Sequence, residues 1–299
     1  MPQEGIDYLP REDLMTYEEL TRLVKILVGL GIDKVRLTGG EPFLRKDMMK
    51  FLRMLSGLKG LDQVHITTNG TLTSGLVSEL KSIGIRSVNL SLDSLDRDRF
   101  FNITRRPVFD QVMQTFEQIL KVGIPLKLNM VVMEQHNVQD IIPMAELTRE
   151  YPIAVRYIEE MPFNGSEADR ELKWNHGAIL QTLQNRFPNL SELPMPYGTT
   201  ATRYKIPGHQ GELGIIAAYS RTFCGTCNRI RITPVGSLKT CLYDQGIFNI
   251  KDLMRNGASD QEITTCLQDA MNHRARDGFE AEARRLGSPI VESMSTIGG

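Results

Sequence analysis

The sequence has little net charge, no long apolar run and few cysteines. Its 299 residues carry a formal net charge of -1, so no global basic field argues for nucleic acid, and any anion site must be built from local clusters. The expected partners are small molecules. No run of about eighteen apolar residues and no charged-then-apolar leader can be read, so neither a membrane span nor a secretory signal is expected and the default compartment is the cytoplasm. Four cysteines are too few for a secreted disulfide scaffold, and the clustering of Cys224, Cys227 and Cys241 reads as metal ligation. With 41% hydrophobic residues, the length allows one large core or two modest ones.

What is present is a rhythm. Apolar, β-branched runs at 34–38, 63–67, 86–92, 126–132 and 153–158 alternate with helical periods such as 19–27 and 108–122. Thr16 and Glu19 form a capping-box pattern, and Gly31, Gly84 and Gly123 fall where helices should end. Serial β/α order implies parallel strands joined by right-handed crossovers. The chain opens on a loop and a helix, so the expected fold is an incomplete β/α barrel without its first strand, over 1–160, followed by a C-terminal region over 161–299.

The strands alternate in polarity. Lys34, Arg36 and Thr38 share one face, as do His65 and Thr67, then Asn89, Ser91 and Asp93, then Lys127 and Asn129, while Val35, Leu37, Val64, Ile66, Val88, Leu90, Leu128 and Met130 line the other. An antiparallel sheet with a solvated face gives the same alternation, but the intervening helices favour parallel strands with one wet face. An open barrel whose lumen holds a polar ligand follows, with Lys34, Arg36 and Lys127 supplying positive charge for an anion such as a polyphosphate. Barrel enzymes place chemistry at the C-terminal strand ends, where this chain has Thr38-Gly-Gly-Glu-Pro42, Thr67-Thr-Asn-Gly70 and Ser91-Leu-Asp-Ser94. Gly39 and Gly40 would let backbone approach a ligand, with Glu41 near a cationic amine.

Cys224 and Cys227 flank a turn, and Cys241 returns after a strand-turn-strand passage whose turn is Pro234-Val-Gly-Ser237. A structural zinc site would want a fourth ligand, and neither His209 nor His273 is at standard spacing. Cys266, on a helical pattern, reads as a core thiol. Three thiolates without a fourth partner fit an iron-sulfur cluster with one open iron. Arg229 and Arg231, two apart on the following strand, would face one side and hold phosphate oxygens.

The strand-end motifs, together with Arg156-Tyr-Ile-Glu-Glu-Met-Pro162, Phe223-Cys-Gly-Thr-Cys-Asn-Arg-Ile-Arg231, Cys241 and the terminal Gly298-Gly299, resemble the GTP 3′,8-cyclase (MoaA) family. These are radical S-adenosylmethionine enzymes of molybdenum-cofactor biosynthesis. The resemblance implies a (β/α)6-type barrel with a C-terminal α+β extension. It implies that Gly40, Glu41, Ser91 and Met161 contact S-adenosylmethionine, and that Arg36, Thr67, Lys127, Arg229 and Arg231 contact GTP, with Lys34 and Arg156 as further candidates and Arg229 and Arg231 serving catalysis. Cys224, Cys227 and Cys241 would hold a [4Fe-4S] cluster that receives guanine, and the terminal glycines would enter the active site. The family forms a 5′-deoxyadenosyl radical that takes the 3′ hydrogen of GTP, and the carbon radical closes on C8. An electron donor and cyclic pyranopterin monophosphate synthase, the next enzyme, are the implied partners, with homodimerisation as a further expectation.

One family feature is missing from these residues. The family's first cluster uses C-x-x-x-C-x-x-C, which does not occur, and Met1-Pro2 resembles the dipeptide that follows it. The sequence therefore suggests an internal methionine at position 1, a second [4Fe-4S] cluster confined to a longer form, and no radical initiation by the chain as written. A cluster-bearing GTP-binding paralogue and a peptide-modifying radical enzyme are the alternative readings.

Overall fold

The computed structural model describes residues 9–161, 172–196 and 198–285. Its strands are Lys34–Leu37 (β1), Gln63–Thr68 (β2), Ser87–Ser91 (β3), Leu126–Val132 (β4), Ala154–Glu159 (β5), Ser191–Leu193 (β6), Ala201–Lys205 (β7), Glu212–Ile216 (β8), Arg231–Ile232 (β9) and Leu238–Lys239 (β10). Its α-helices are Tyr17–Gly29 (α1), Met48–Ser56 (α2), Val77–Ile83 (α3), Arg97–Thr104 (α4), Phe109–Val122 (α5), Ile141–Glu150 (α6), His176–Arg186 (α7), Ile250–Arg255 (α8), Asp260–Asn272 (α9) and Gly278–Ala283 (α10). These fall into two compact units, one containing described residues 9–65 and 228–285, the other the remainder, 66–227.

In the first unit the N-terminal helix joins the C-terminal helices. Thr16 caps α1 reciprocally with Glu19, as the sequence pattern requires. The helix then buries Leu23, Ile26 and Leu27 in one cluster with Leu238, Ile250, Met254, Ile263 and Leu267, a seam set by apolar residues three and four apart. Polar contacts fix the same arrangement: the amide of Met15 donates to the Pro234 carbonyl at 2.9 Å, and Arg255 pairs with Glu19 at 2.8 Å.

The second unit is a parallel sheet with helical crossovers. Strands β3, β4, β5 and β8 run parallel, and β7 and β6 extend the sheet antiparallel. Helix α5 buries Val112, Thr115, Phe116 and Ile119, while β3 and β4 bury Val88, Leu90, Leu128 and Met130 completely. Gly84 and Gly123 end α3 and α5 in the left-handed conformation. Gly70, in the turn after β2, has φ 80° and lies so close to β3 that a Cβ would sit 2.6 Å from Leu90 Cδ1. Its carbonyl accepts a 2.6 Å hydrogen bond from Thr115 Oγ1 of α5, which holds the strand end in place.

Candidate functional site

In the second unit the strand register gathers the polar side chains. Asn89 pairs with Lys127, and the next row runs from Ser91 through Asn129 and Arg156 to Gly214. Residues in register across a sheet project to the same face, so this row joins residues from β3, β4, β5 and β8. Gly214 makes room for its neighbour: a Cβ there would lie 3.3 Å from Arg156 Cγ and from Ala201 Cβ. At the outer end Arg203 forms an ion pair with Glu212, its Nε donating at 3.1 Å. Lys127 and Arg156 are both half-buried.

Three oxygens on these strands have unmet bonding capacity. Thr67 Oγ1, Asn89 Oδ1 and Asn129 Oδ1 are buried and find no hydrogen-bond partner among the described residues. A buried polar atom left unpaired costs about 1–3 kcal/mol, so three on adjacent strands mark a surface shaped for a polar ligand rather than a core. These acceptors suit hydrogen-bond donors of a ligand, and the cations of Lys127 and Arg156 suit an anionic group.

Past the end of β3, Asp93 binds β4. Its Oδ1 accepts the Val131 amide at 2.9 Å, and Asn137 Nδ2 donates to both the Asp93 and Val131 carbonyls at 2.8 Å. Burial pushes the Asp93 carboxyl up to about 6, against the lowering effect of the Val131 hydrogen bond. The following segment is fastened by Asp140, which is fully buried and accepts from Ser94 Oγ at 2.9 Å and from Arg99 Nε at 2.8 Å. Ser91 therefore stands at the end of a strand whose exit is held at two points.

The end of β5 leads to the cysteine turn. Met161, two residues past β5, lies half-buried in coil. The carboxylate of Glu159 is 1% exposed and accepts from the amides of His176, Tyr219 and Ser220 and from Ser220 Oγ. Cys224-Gly-Thr226 is a short 3-10 turn in which the Cys227 amide donates to the Cys224 carbonyl at 3.2 Å. Sequence reasoning assigned nothing to Glu159, Arg203 or Glu212. The adjacent acidic pair in the Arg156-to-Pro162 motif was the available signal for Glu159.

In the first unit, Lys34 and Arg36 alternate along β1, Lys34 exposed and Arg36 half-buried. Gly40 follows in the loop, and Glu41 is buried with one oxygen accepting the Phe43 amide at 3.2 Å, so it caps a 3-10 turn. The expectation that Arg229 and Arg231 lie on one strand is corrected. Strand β9 contains only Arg231 and Ile232, and Arg229 precedes it, exposed, because the chain pairs with β10 only from Arg231 onward. The Pro234–Ser237 turn is as expected. Cys241 is held by Asp244, whose Oδ2 accepts the amides of Thr240 and Cys241 at 2.8 Å each. Cys266 lies half-buried on α9.

Among the described residues no three His, Cys, Asp or Glu side chains form a metal-sized group, and Cys241 belongs to a different unit from Cys224 and Cys227. The three thiols are nevertheless a donor set suited to a soft metal or an iron-sulfur cluster. Gly298-Gly299 lie outside the described residues. No described helix is long and apolar enough to cross a membrane.

Known proteins resemble this chain in sequence and fold. Residues 4–148 match the Radical SAM superfamily and residues 153–279 match Molybdenum Cofactor Synthesis C. The chain is 36% identical over 311 residues to the GTP 3′,8-cyclase of Syntrophomonas wolfei subsp. wolfei, covering 100% of this chain and 92% of that protein. It is 39% identical over 294 residues to molybdenum cofactor biosynthesis protein 1 of Mus musculus, covering 97% of this chain and 46% of the relative. The chain thus spans about half the length of the animal relatives it matches. Streptococcus suis SuiB bound to S-adenosylmethionine superposes with a TM-score of 0.61 at 15% identity, covering 93% of this chain and 64% of that one, a likeness of fold alone. Its identity to a GTP 3′,8-cyclase over nearly that protein's whole length, with both halves matching the domains of such an enzyme, places this chain in the radical S-adenosylmethionine GTP 3′,8-cyclase family of molybdenum-cofactor synthesis.

Proposed function

We propose that the chain binds GTP on the polar face of its parallel sheet and carries the substrate site for conversion of GTP to (8S)-3′,8-cyclo-7,8-dihydroguanosine 5′-triphosphate, the first step of molybdenum-cofactor synthesis. The observation that carries this reading is the set of unsatisfied oxygens at Thr67, Asn89 and Asn129, with Asn89 in register with Lys127 and Asn129 in register with Arg156. Lys127 and Arg156 bind phosphate by charge-assisted hydrogen bonds, with Arg36, Lys34, Arg229 and Arg231 as the further cationic candidates. Gly40, Glu41, Ser91 and Met161 contact S-adenosylmethionine. Cys224, Cys227 and Cys241 hold a [4Fe-4S] cluster.

The radical that removes the 3′ hydrogen would be supplied by S-adenosylmethionine with the other cluster, the one expected only in a longer form, and not by the cluster at Cys224, Cys227 and Cys241. The work of the chain's own residues is positional. They fix the ribose and guanine at reacting distance and exclude water, which contributes through proximity rather than new chemistry. The reaction is expected in the cytoplasm, with an external electron donor and with cyclic pyranopterin monophosphate synthase taking the product.

Calorimetric titration of the anaerobically handled chain with GTP tests the reading. Lys127→Ala and Arg156→Ala should each weaken binding by at least about tenfold, the value of a lost charge-assisted contact. Unchanged affinity in both variants would remove the nucleotide from this face.

A further inference from the structure

We propose that Glu159 is a positioning residue that sets the Cys224-Gly-Thr-Cys227 turn in its ligand-ready form before any metal group binds. This rests on the reading that Cys224 and Cys227 are ligands.

A carboxylate 1% exposed is costly unless its oxygens are satisfied. Here they accept four hydrogen bonds: Oε1 from the His176 amide at 2.6 Å and Ser220 Oγ at 2.7 Å, Oε2 from the Tyr219 amide at 2.9 Å and the Ser220 amide at 2.7 Å. His176 is the first residue of α7, whose amino end favours a negative charge. One side chain thus joins the end of β5, the start of α7 and the segment that precedes the cysteines.

From Ser220 the constraint passes along the backbone. Arg221 is left-handed at φ 57°, a conformation that a residue with a Cβ keeps only where its surroundings over-determine it. Its amide donates to the Ala217 carbonyl at 2.7 Å, and its carbonyl accepts the Cys224 amide at 3.2 Å. The Cys224 carbonyl in turn accepts the Cys227 amide at 3.2 Å. Fixing Tyr219 and Ser220 fixes the sharp bend at Arg221, and the bend fixes the direction in which both cysteines leave the sheet. Preset thiols forfeit less conformational freedom when they take a metal group.

The experiment is amide hydrogen exchange on the full 299-residue chain, metal-free, comparing wild type with Glu159→Gln. Glutamine keeps the shape but replaces one acceptor oxygen with a donor, so two donors face each other. Protection at Tyr219, Ser220, Cys224 and Cys227 should fall about tenfold or more, the value of a hydrogen bond to a charged acceptor. Thr240 and Cys241, held by Asp244, should keep wild-type protection. After anaerobic reconstitution the variant should lose iron to a chelator faster than wild type. Wild-type protection at Cys224 and Cys227 while Tyr219 and Ser220 open would overturn the proposal and leave Glu159 a support for α7. Ser220→Ala, which removes only the hydroxyl bond, should give a smaller loss at the same amides, and supplies the reading should Glu159→Gln not fold. A wild type that takes up no iron would refute the assignment of the cysteines, while the exchange data would still decide the role of Glu159.

Discussion

Replacing Asp93 by Asn should remove a pH dependence of stability from the second unit. The folded carboxyl holds its proton up to about 6, against an ordinary value of 3.8, because burial disfavours its charge. The fold therefore binds this proton more tightly than the unfolded chain does. The stabilisation is complete below 3.8 and is lost as pH rises through 6. The span corresponds to about 3 kcal/mol, of which about 2 kcal/mol or more falls between pH 4 and pH 7.5. Asparagine carries no charge and retains an oxygen for the Val131 amide. Urea unfolding can be followed by Trp174, the single tryptophan, which lies in the same unit. Any fixed cost of the substitution cancels in the comparison across pH, so the variant should gain about 2 kcal/mol on wild type in going from pH 4 to pH 7.5. A difference between the two proteins that stays constant over that range would refute burial as the cause of the raised value.

Two other substitutions probe the scaffold beneath the site. Gly70→Ala combines an unfavourable φ with a Cβ 2.6 Å from Leu90 Cδ1 and should lower stability by about 2–4 kcal/mol, read as a reduced urea midpoint; an unchanged midpoint would mean that the turn relaxes freely. Asp140→Ala leaves Ser94 and Arg99 without their buried acceptor. Its cost should be about 2–3 kcal/mol, near the low end for a broken buried pair because the Arg99 side chain is 31% exposed and can turn to water. Limited proteolysis should then cut between 94 and 99, and resistance equal to wild type would refute the latch.

Much of the parallel sheet could be read from alternation alone. The runs at 126–132 and 153–158 became β4 and β5 within a residue or two, because a strand with one buried face repeats every two residues and a crossover helix does not. The short elements were harder. Strands β6 and β7 carry no strong period, and β8 shows its place only by pairing in parallel with β5. The polar strand faces were visible as a list of residues. Their rows were not, because register depends on how neighbouring strands slide against each other.

The sequence by itself determined which residues can do chemistry: three clustered cysteines, a cationic strand face, glycine-rich strand ends and the family they resemble. Those are properties of side-chain type and short spacing, which local chain geometry preserves. Tertiary structure decided which of them are held and by what. It placed Asn129 beside Arg156 through strand pairing, began β9 at Arg231 so that Arg229 lies outside it, and brought Glu159 to amides some sixty residues away. No local pattern encodes that last contact, because a buried carboxylate is satisfied by whichever donors the packed fold brings to it.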